Sequence, residues 1–303
     1  MFEVYFQNGE FLSDQMTFLG IGLDTIFTVS ITIGIFFAGE WFKRLYDRKK
    51  EFERLKSIEM YLFKLLELIE EPAEKQKVKL EEFVNQIREE KEQHFQLSYV
   101  ASLNMEPIKE IDNQDLFQIF IARRKGNLEY KTELFGKIRH QIDYLHAVQS
   151  SLKEVFEKMM SEHRSYDSKF KEHFKTSHKL FDFWIAENVR NKLSREDDLF
   201  LAKVDELRAA WIKKERADVP YYDMFITNEE YYAPLKDLCK QFLHDPRASV
   251  LLEQVMECQQ AVNNIRNIKD LYSNGFEERA KGIGKSIDEI RTALSQLKSL
   301  EFS

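Results

Sequence analysis

The chain has 303 residues, with 45 Lys and Arg against 52 Asp and Glu, a formal charge of −7 and only Cys239 and Cys258 as cysteines. This acidic balance gives no reason to expect nonspecific nucleic-acid binding and does not bear on a local basic groove. The two isolated thiols give no zinc-type spacing and read as free, buried groups in a reducing compartment.

Residues 1–17 carry Glu3, Glu10 and Asp14 and no Lys or Arg, and read as a short extracytoplasmic N-terminus. Phe18 to Phe37, FLGIGLDTIFTVSITIGIFF, holds one charge, Asp24. At 1.5 Å per residue such a run matches a hydrocarbon core of roughly 30 Å. Residues 18–42 therefore read as a transmembrane helix closed by Trp41 and Phe42, an interfacial aromatic pair. Lys43, Arg44, Arg48, Lys49 and Lys50 follow at once. Positive charge stays on the cytoplasmic side, which sets the N-terminus out and the rest of the chain in the cytosol. A cleaved signal peptide would need a basic n-region, and MFEVYFQNGEF has none. The expected location is the inner, or cell, membrane in single-pass topology.

Five of the ten glycines fall within the first 39 residues. The remainder is poor in Gly and Pro and rich in Glu, Lys, Leu and Phe, so the expected fold is all-α: one N-terminal transmembrane helix followed by a cytosolic multi-helix bundle. Residues 43–105 read as a basic helical stalk or helical hairpin, and 106–303 as the bundle. In the stalk, Leu55, Ile58, Leu62, Leu65 and Ile69 are spaced 3, 4, 3, 4. That spacing suits a coiled-coil seam between copies or packing within one chain. Pro72 is expected to end this helix, and a second to carry Leu80, Phe83, Val84 and Ile87. Helices are then expected from Asp112 to Gly126, from Asn127 to about His163, and through Phe170 to Trp184. Later starts are marked by Ser194 with Asp197, Thr227 with Glu230, Asp245-Pro246, and Ser286 with Glu289. Asn274-Gly275 reads as a stop, giving about nine or ten cytosolic helices by this count of signals.

Ser30, Gly34 and Ala38 lie four apart on one face of the span. Small residues at that spacing let helices approach closely in lipid, which points to an oligomerisation face, though small residues are common in spans. Asp24 is the span's one ionisable group. A ring of such carboxylates would favour cations in a pore; alternatively Asp24-Thr25 caps a span running from Thr25 to Phe42. Arg88 with His94, and Arg139 with His146, match the R-x(4–6)-H spacing of helical RNases of the higher eukaryote and prokaryote nucleotide-binding class. There an Arg would hold phosphate and a His would do acid–base work, but this composition produces such pairs by chance. Gly282-Ile283-Gly284-Lys285-Ser286 lacks the first glycine and the strand of a phosphate loop. His173 and His178, five apart, do not share a face as metal ligands would. Tyr221-Tyr222 and Tyr231-Tyr232 suit either partner docking or the core. No motif calls for a cofactor or metal, and no catalytic residue stands out.

The order of an outward N-terminus, a span, a basic stalk and an acidic, Phe-rich helical body resembles the single-span accessory membrane proteins of bacterial antiphage systems, most of all those accompanying type VI-B CRISPR effectors. The resemblance covers architecture and no diagnostic motif. It implies a non-enzymatic, homo-oligomeric effector that forms or gates a membrane pore and depolarises the membrane, with lipid, copies of itself and a cytosolic defence nuclease or other trigger as partners. The alternatives are a membrane-tethered scaffold or sensor that recruits a soluble partner, and a divergent membrane-bound RNase.

Overall fold

The structure is a computed structural model that describes residues 5–7, 10–12, 17–18, 21–89, 95–194, 197–215 and 223–300. His94, and with it the Arg88–His94 pairing, Tyr221 and Tyr222 lie outside the described residues, as does the side chain of Asp24.

The fold is helical, preceded by two minimal antiparallel hairpins. Strands β1 (Tyr5–Gln7) and β2 (Glu10–Leu12) form the first, β3 (Thr17–Phe18) and β4 (Ile21–Gly22) the second. The first helix consequently starts at Leu23 rather than Phe18. Three long helices carry the body: α1 (Leu23–Arg88), α4 (Leu128–Arg190) and α8 (Pro246–Ser299). Between them lie α2 (Glu106–Lys109), α3 (Asn113–Phe117), α5 (Leu199–Glu215), α6 (Met224–Thr227) and α7 (Ala233–Gln241). Five-residue π-turns follow α3 (Gln118–Ala122) and α6 (Asn228–Tyr232).

Several expected breaks are absent. Pro72 sits inside α1. A proline there forfeits one backbone hydrogen bond, but Ile69 and Ala73 on either side are both buried in the core, and burial outweighs the local loss. His163 and Phe170 belong to one continuous α4. Asn274-Gly275 lies within α8, where Tyr272, Ser273 and Phe276 are buried and the Gly275 carbonyl accepts from Arg279. Ser286 is not a cap: it is buried mid-helix and donates to Gln141. Thr227 is likewise internal, and the cap of α6 is Asp223, which accepts from the Phe225 and Ile226 amides. The cap at Asp245 is formed by the expected residue, and Asp112, where a helix is expected to start, caps α3. At Ser194 the expected pairing with Asp197 is made at 2.6 Å, but Asp198 caps α5 by accepting from the Leu201 amide.

The long helices pack as a frame. Helix α4 runs antiparallel to α8: Gln141 pairs with Ser286, His173 with Gln254, and Cys258 lies against the Phe170 carbonyl. Helix α1 is also antiparallel to α8, through Glu70–Arg291, Glu67–Lys298 and Arg88–Glu277. Two hydrophobic cores result. The proximal one joins α1 from Leu55 onward to the first half of α4, the second half of α8 and segment 95–121. The distal one joins the second half of α4 and the first half of α8 to α5–α7. Buried Gln76 fastens the extended segment as a strand neighbour would. It donates to the Ser98 carbonyl at 3.3 Å and accepts from the Val100 amide at 2.8 Å.

The stalk seam is used within the chain. Leu55, Leu62 and Ile69 are buried in the proximal core, with Ile58 and Leu65 partly buried against it.

Candidate functional site

The first part of α1 differs from everything after it. It is long and apolar enough to cross a membrane, and none of the apolar window is buried against the rest of the chain. A core helix of a water-soluble protein would be covered; here Phe27, Ile35 and Phe37 are each at least 66% exposed. The hydroxyl of Thr32 donates to the Thr28 carbonyl at 2.8 Å, so this polar group is satisfied inside the helix. Ser30, Gly34 and Ala38 are all exposed. A β-carbon at Gly34 would meet nothing within 4 Å, which leaves that face open.

Arg139 and His146 are both carried by α4, two turns and about 10 Å apart along its axis. Each has its own partner from the α2–α3 segment. Arg139 donates to Asn113, and His146 lies 3.6 Å from the Glu106 carboxylate.

The structure also holds polar sites that no motif announced. At the end of the body nearest the bare apolar part of α1, Arg124 is 3% exposed and pairs with Glu59, 5% exposed. Arg124 also donates to the Leu297 and Leu300 carbonyls. Lys131 beside it donates to the Ile121 and Arg124 carbonyls at 2.7 and 2.6 Å. At the other end of α1, Lys269 donates to the Glu89 carbonyl at 2.7 Å. Helix termini leave carbonyls unsatisfied, and here cationic side chains from neighbouring elements meet those of α1 and α8, with the favourable sign for a helix C-terminus. Burial pushes the Glu59 carboxyl up, against the pull of Arg124.

The distal core is aromatic. His178 lies 5.9 Å from Tyr231 with near-parallel rings and 4.4 Å from Phe174, and Trp211 stacks on Tyr231 at 4.9 Å. Burial, and then the charge of Arg208, pull the His178 imidazole down to about 4. Tyr231 and Tyr232 are 3% and 0% exposed, so the pair belongs to the core and not to a docking face. Burial pushes the Cys239 and Cys258 thiols up to about 12 each; they are free and buried, as the sequence suggested, and poor nucleophiles. Among the described residues no group of His, Cys, Asp and Glu could hold a metal ion. A groove of about 320 Å³ between α1 and α8 has an apolar floor that includes Leu66, Ile69 and Leu294, and its rim is tied by Arg291–Glu70 and Lys298–Glu67.

The clasp at Glu59 and Arg124 lay beyond sequence reasoning because its members are 65 residues apart and look like surface charges. The single hint was a pair of adjacent arginines, Arg123 and Arg124, with no Asp or Glu three or four positions away on either side in the sequence. No family model matches the chain, and no curated protein or solved structure matches it either.

Proposed function

We propose that the protein is a membrane-anchored, non-enzymatic helical effector. Residues 25–42 cross the cell membrane, the N-terminus faces out and the helical body lies in the cytoplasm. Copies gather through Ser30, Gly34 and Ala38, and the gathered spans open a path that depolarises the membrane in response to infection or a partner nuclease. The observation that supports this reading is the continuity of α1: one unbroken helix runs from a bare apolar stretch to core positions such as Leu62 and Leu80. Any rearrangement of the body is then transmitted to the span without a slack linker. Gly34→Leu fills the open face and is expected to abolish depolarisation in cells while the body stays folded. Depolarisation at the unsubstituted level would remove the gathered-span mechanism.

A second reading, a tethered scaffold or sensor that conducts nothing, gains from the intrachain burial of Leu55, Leu62 and Ile69. That burial removes the stalk seam as a surface for self-association. Replacing residues 25–42 with an unrelated apolar span separates the two: a scaffold keeps its activity and a pore loses it.

A further inference from the structure

Along the full length of α1, charge is segregated in one place. Residues 43–50, KRLYDRKK, hold five cations against Asp47, a net +4, so the rest of the chain carries −11. Every residue from 41 to 50 is exposed, and Leu55 is the first one fully covered by the body. At 1.5 Å per residue, Leu55 lies about 20 Å beyond Phe42. The cations therefore occupy a bare collar between the apolar span and an acidic body. Their arrangement around the helix is informative. At about 100° per residue, Lys43, Arg44, Arg48, Lys49 and Lys50 spread round the whole circumference and share no face. A basic stripe would suit a groove on one protein partner; a full ring suits headgroups that surround a rod on all sides. Trp41 and Phe42, 59% and 64% exposed and edge-on to each other at 5.2 Å, sit on its membrane side, where amphipathic rings settle at headgroup depth. Among the described residues, Arg44 is the one cation of this stretch in an ion pair, with Glu40 at 3.7 Å and with both side chains exposed.

We infer that residues 41–50 form a collar that binds anionic phospholipid headgroups around the helix. The collar holds an acidic body close to an anionic leaflet that would otherwise repel it. This inference rests on the reading that residues 25–42 cross the bilayer.

The three tryptophans make it testable in the intact chain. Trp41 is in the collar, while Trp184 and Trp211 are buried in the distal core, 6% and 4% exposed. Trp184, and Phe174 against which Trp211 packs, lie more than about 60 Å along α4 from its start at Leu128. Quenching by a lipid spin-labelled near its headgroup therefore reports on Trp41 alone. Full-length protein is reconstituted in phosphatidylcholine vesicles that contain a small, equal fraction of labelled phosphatidylglycerol or labelled phosphatidylcholine. The labelled phosphatidylglycerol is expected to show an apparent affinity about fivefold higher or more, the attraction of at least one basic residue for an anionic surface. The preference should vanish in molar salt and in the variant with Gln at 43, 44, 48, 49 and 50. Equal quenching by both labelled lipids in the unsubstituted protein overturns the collar and leaves the span standing. A preference that survives the five substitutions overturns the assignment to these residues. Quenching by neither lipid removes the membrane-crossing reading and the collar together.

Discussion

His178 shows how one buried residue sets an acid limit for the distal core. Its imidazole is packed against Phe174 and Tyr231 with Arg208 nearby, and burial holds it at about 4 against an ordinary 6.5. The unfolded chain therefore takes up a proton that the folded chain refuses. Stability from this group is fully present above pH 6.5 and is lost as pH falls from 6.5 to 4, by at most about 3 kcal/mol. His163, also lowered by burial, acts in the same direction. The expected outcome for His178→Phe, which keeps a ring in the stack, is a clearly flatter decline in the urea midpoint between pH 6.5 and 4, measured in detergent. A decline as steep as that of the unsubstituted protein would show that the imidazole charges freely in the folded state. The sequence identified His178 only as an unsuitable metal ligand; its neutrality depends on rings from α5 and the second π-turn, which no local spacing reveals.

At the scale of elements, the sequence was a good guide to helix type and a poor guide to helix length. Proline, Asn-Gly and capping pairs are local signals, and they mark helix ends only where no burial competes. The body overrides them at Pro72, Asn274-Gly275 and Ser286 because each lies where two helices bury a shared face, and tertiary burial outweighs a local propensity of about 1–3 kcal/mol. Gly282 illustrates the same logic from the opposite side. It is not a remnant of a phosphate loop. It lies on α8 where Tyr144 of α4 crosses, and a β-carbon there would overlap the Tyr144 ring and hydroxyl. Glycine normally weakens a helix interior by about 1 kcal/mol relative to alanine, so its presence is repaid by the close α4–α8 approach. Gly282→Ala is expected to destabilise by about 1–3 kcal/mol through displacement of the ring. In a Tyr144→Ala background the same change should become neutral or stabilising, by up to about 1 kcal/mol. Denaturant midpoints of the four proteins give the coupling energy. A value near zero would mean that the ring swings away without cost.

At the scale of the whole molecule, the two cores share two helices. Helix α4 contributes Leu134, Leu145 and Leu152 to the proximal core and Phe170, Phe181 and Trp184 to the distal one. Helix α8 does the same in reverse order, from Leu251 and Val255 to Ile283 and Leu297. Opening the distal core alone would leave long stretches of α4 and α8 as single helices with bare apolar faces, and such helices are marginal in water. The proximal core should therefore open with the distal one, which makes the body behave as one lever on the exposed apolar part of α1. Cys239 and Cys258 report on the distal core, since both are fully buried there and their thiols are held protonated. In increasing urea, labelling of the two thiols by a maleimide is expected to rise with the same midpoint as the loss of helical ellipticity, which is dominated by all three long helices. Labelling that is complete while most ellipticity remains would show that the distal core opens by itself. In that case a rearrangement of the distal core would be absorbed within the body before it reached α1.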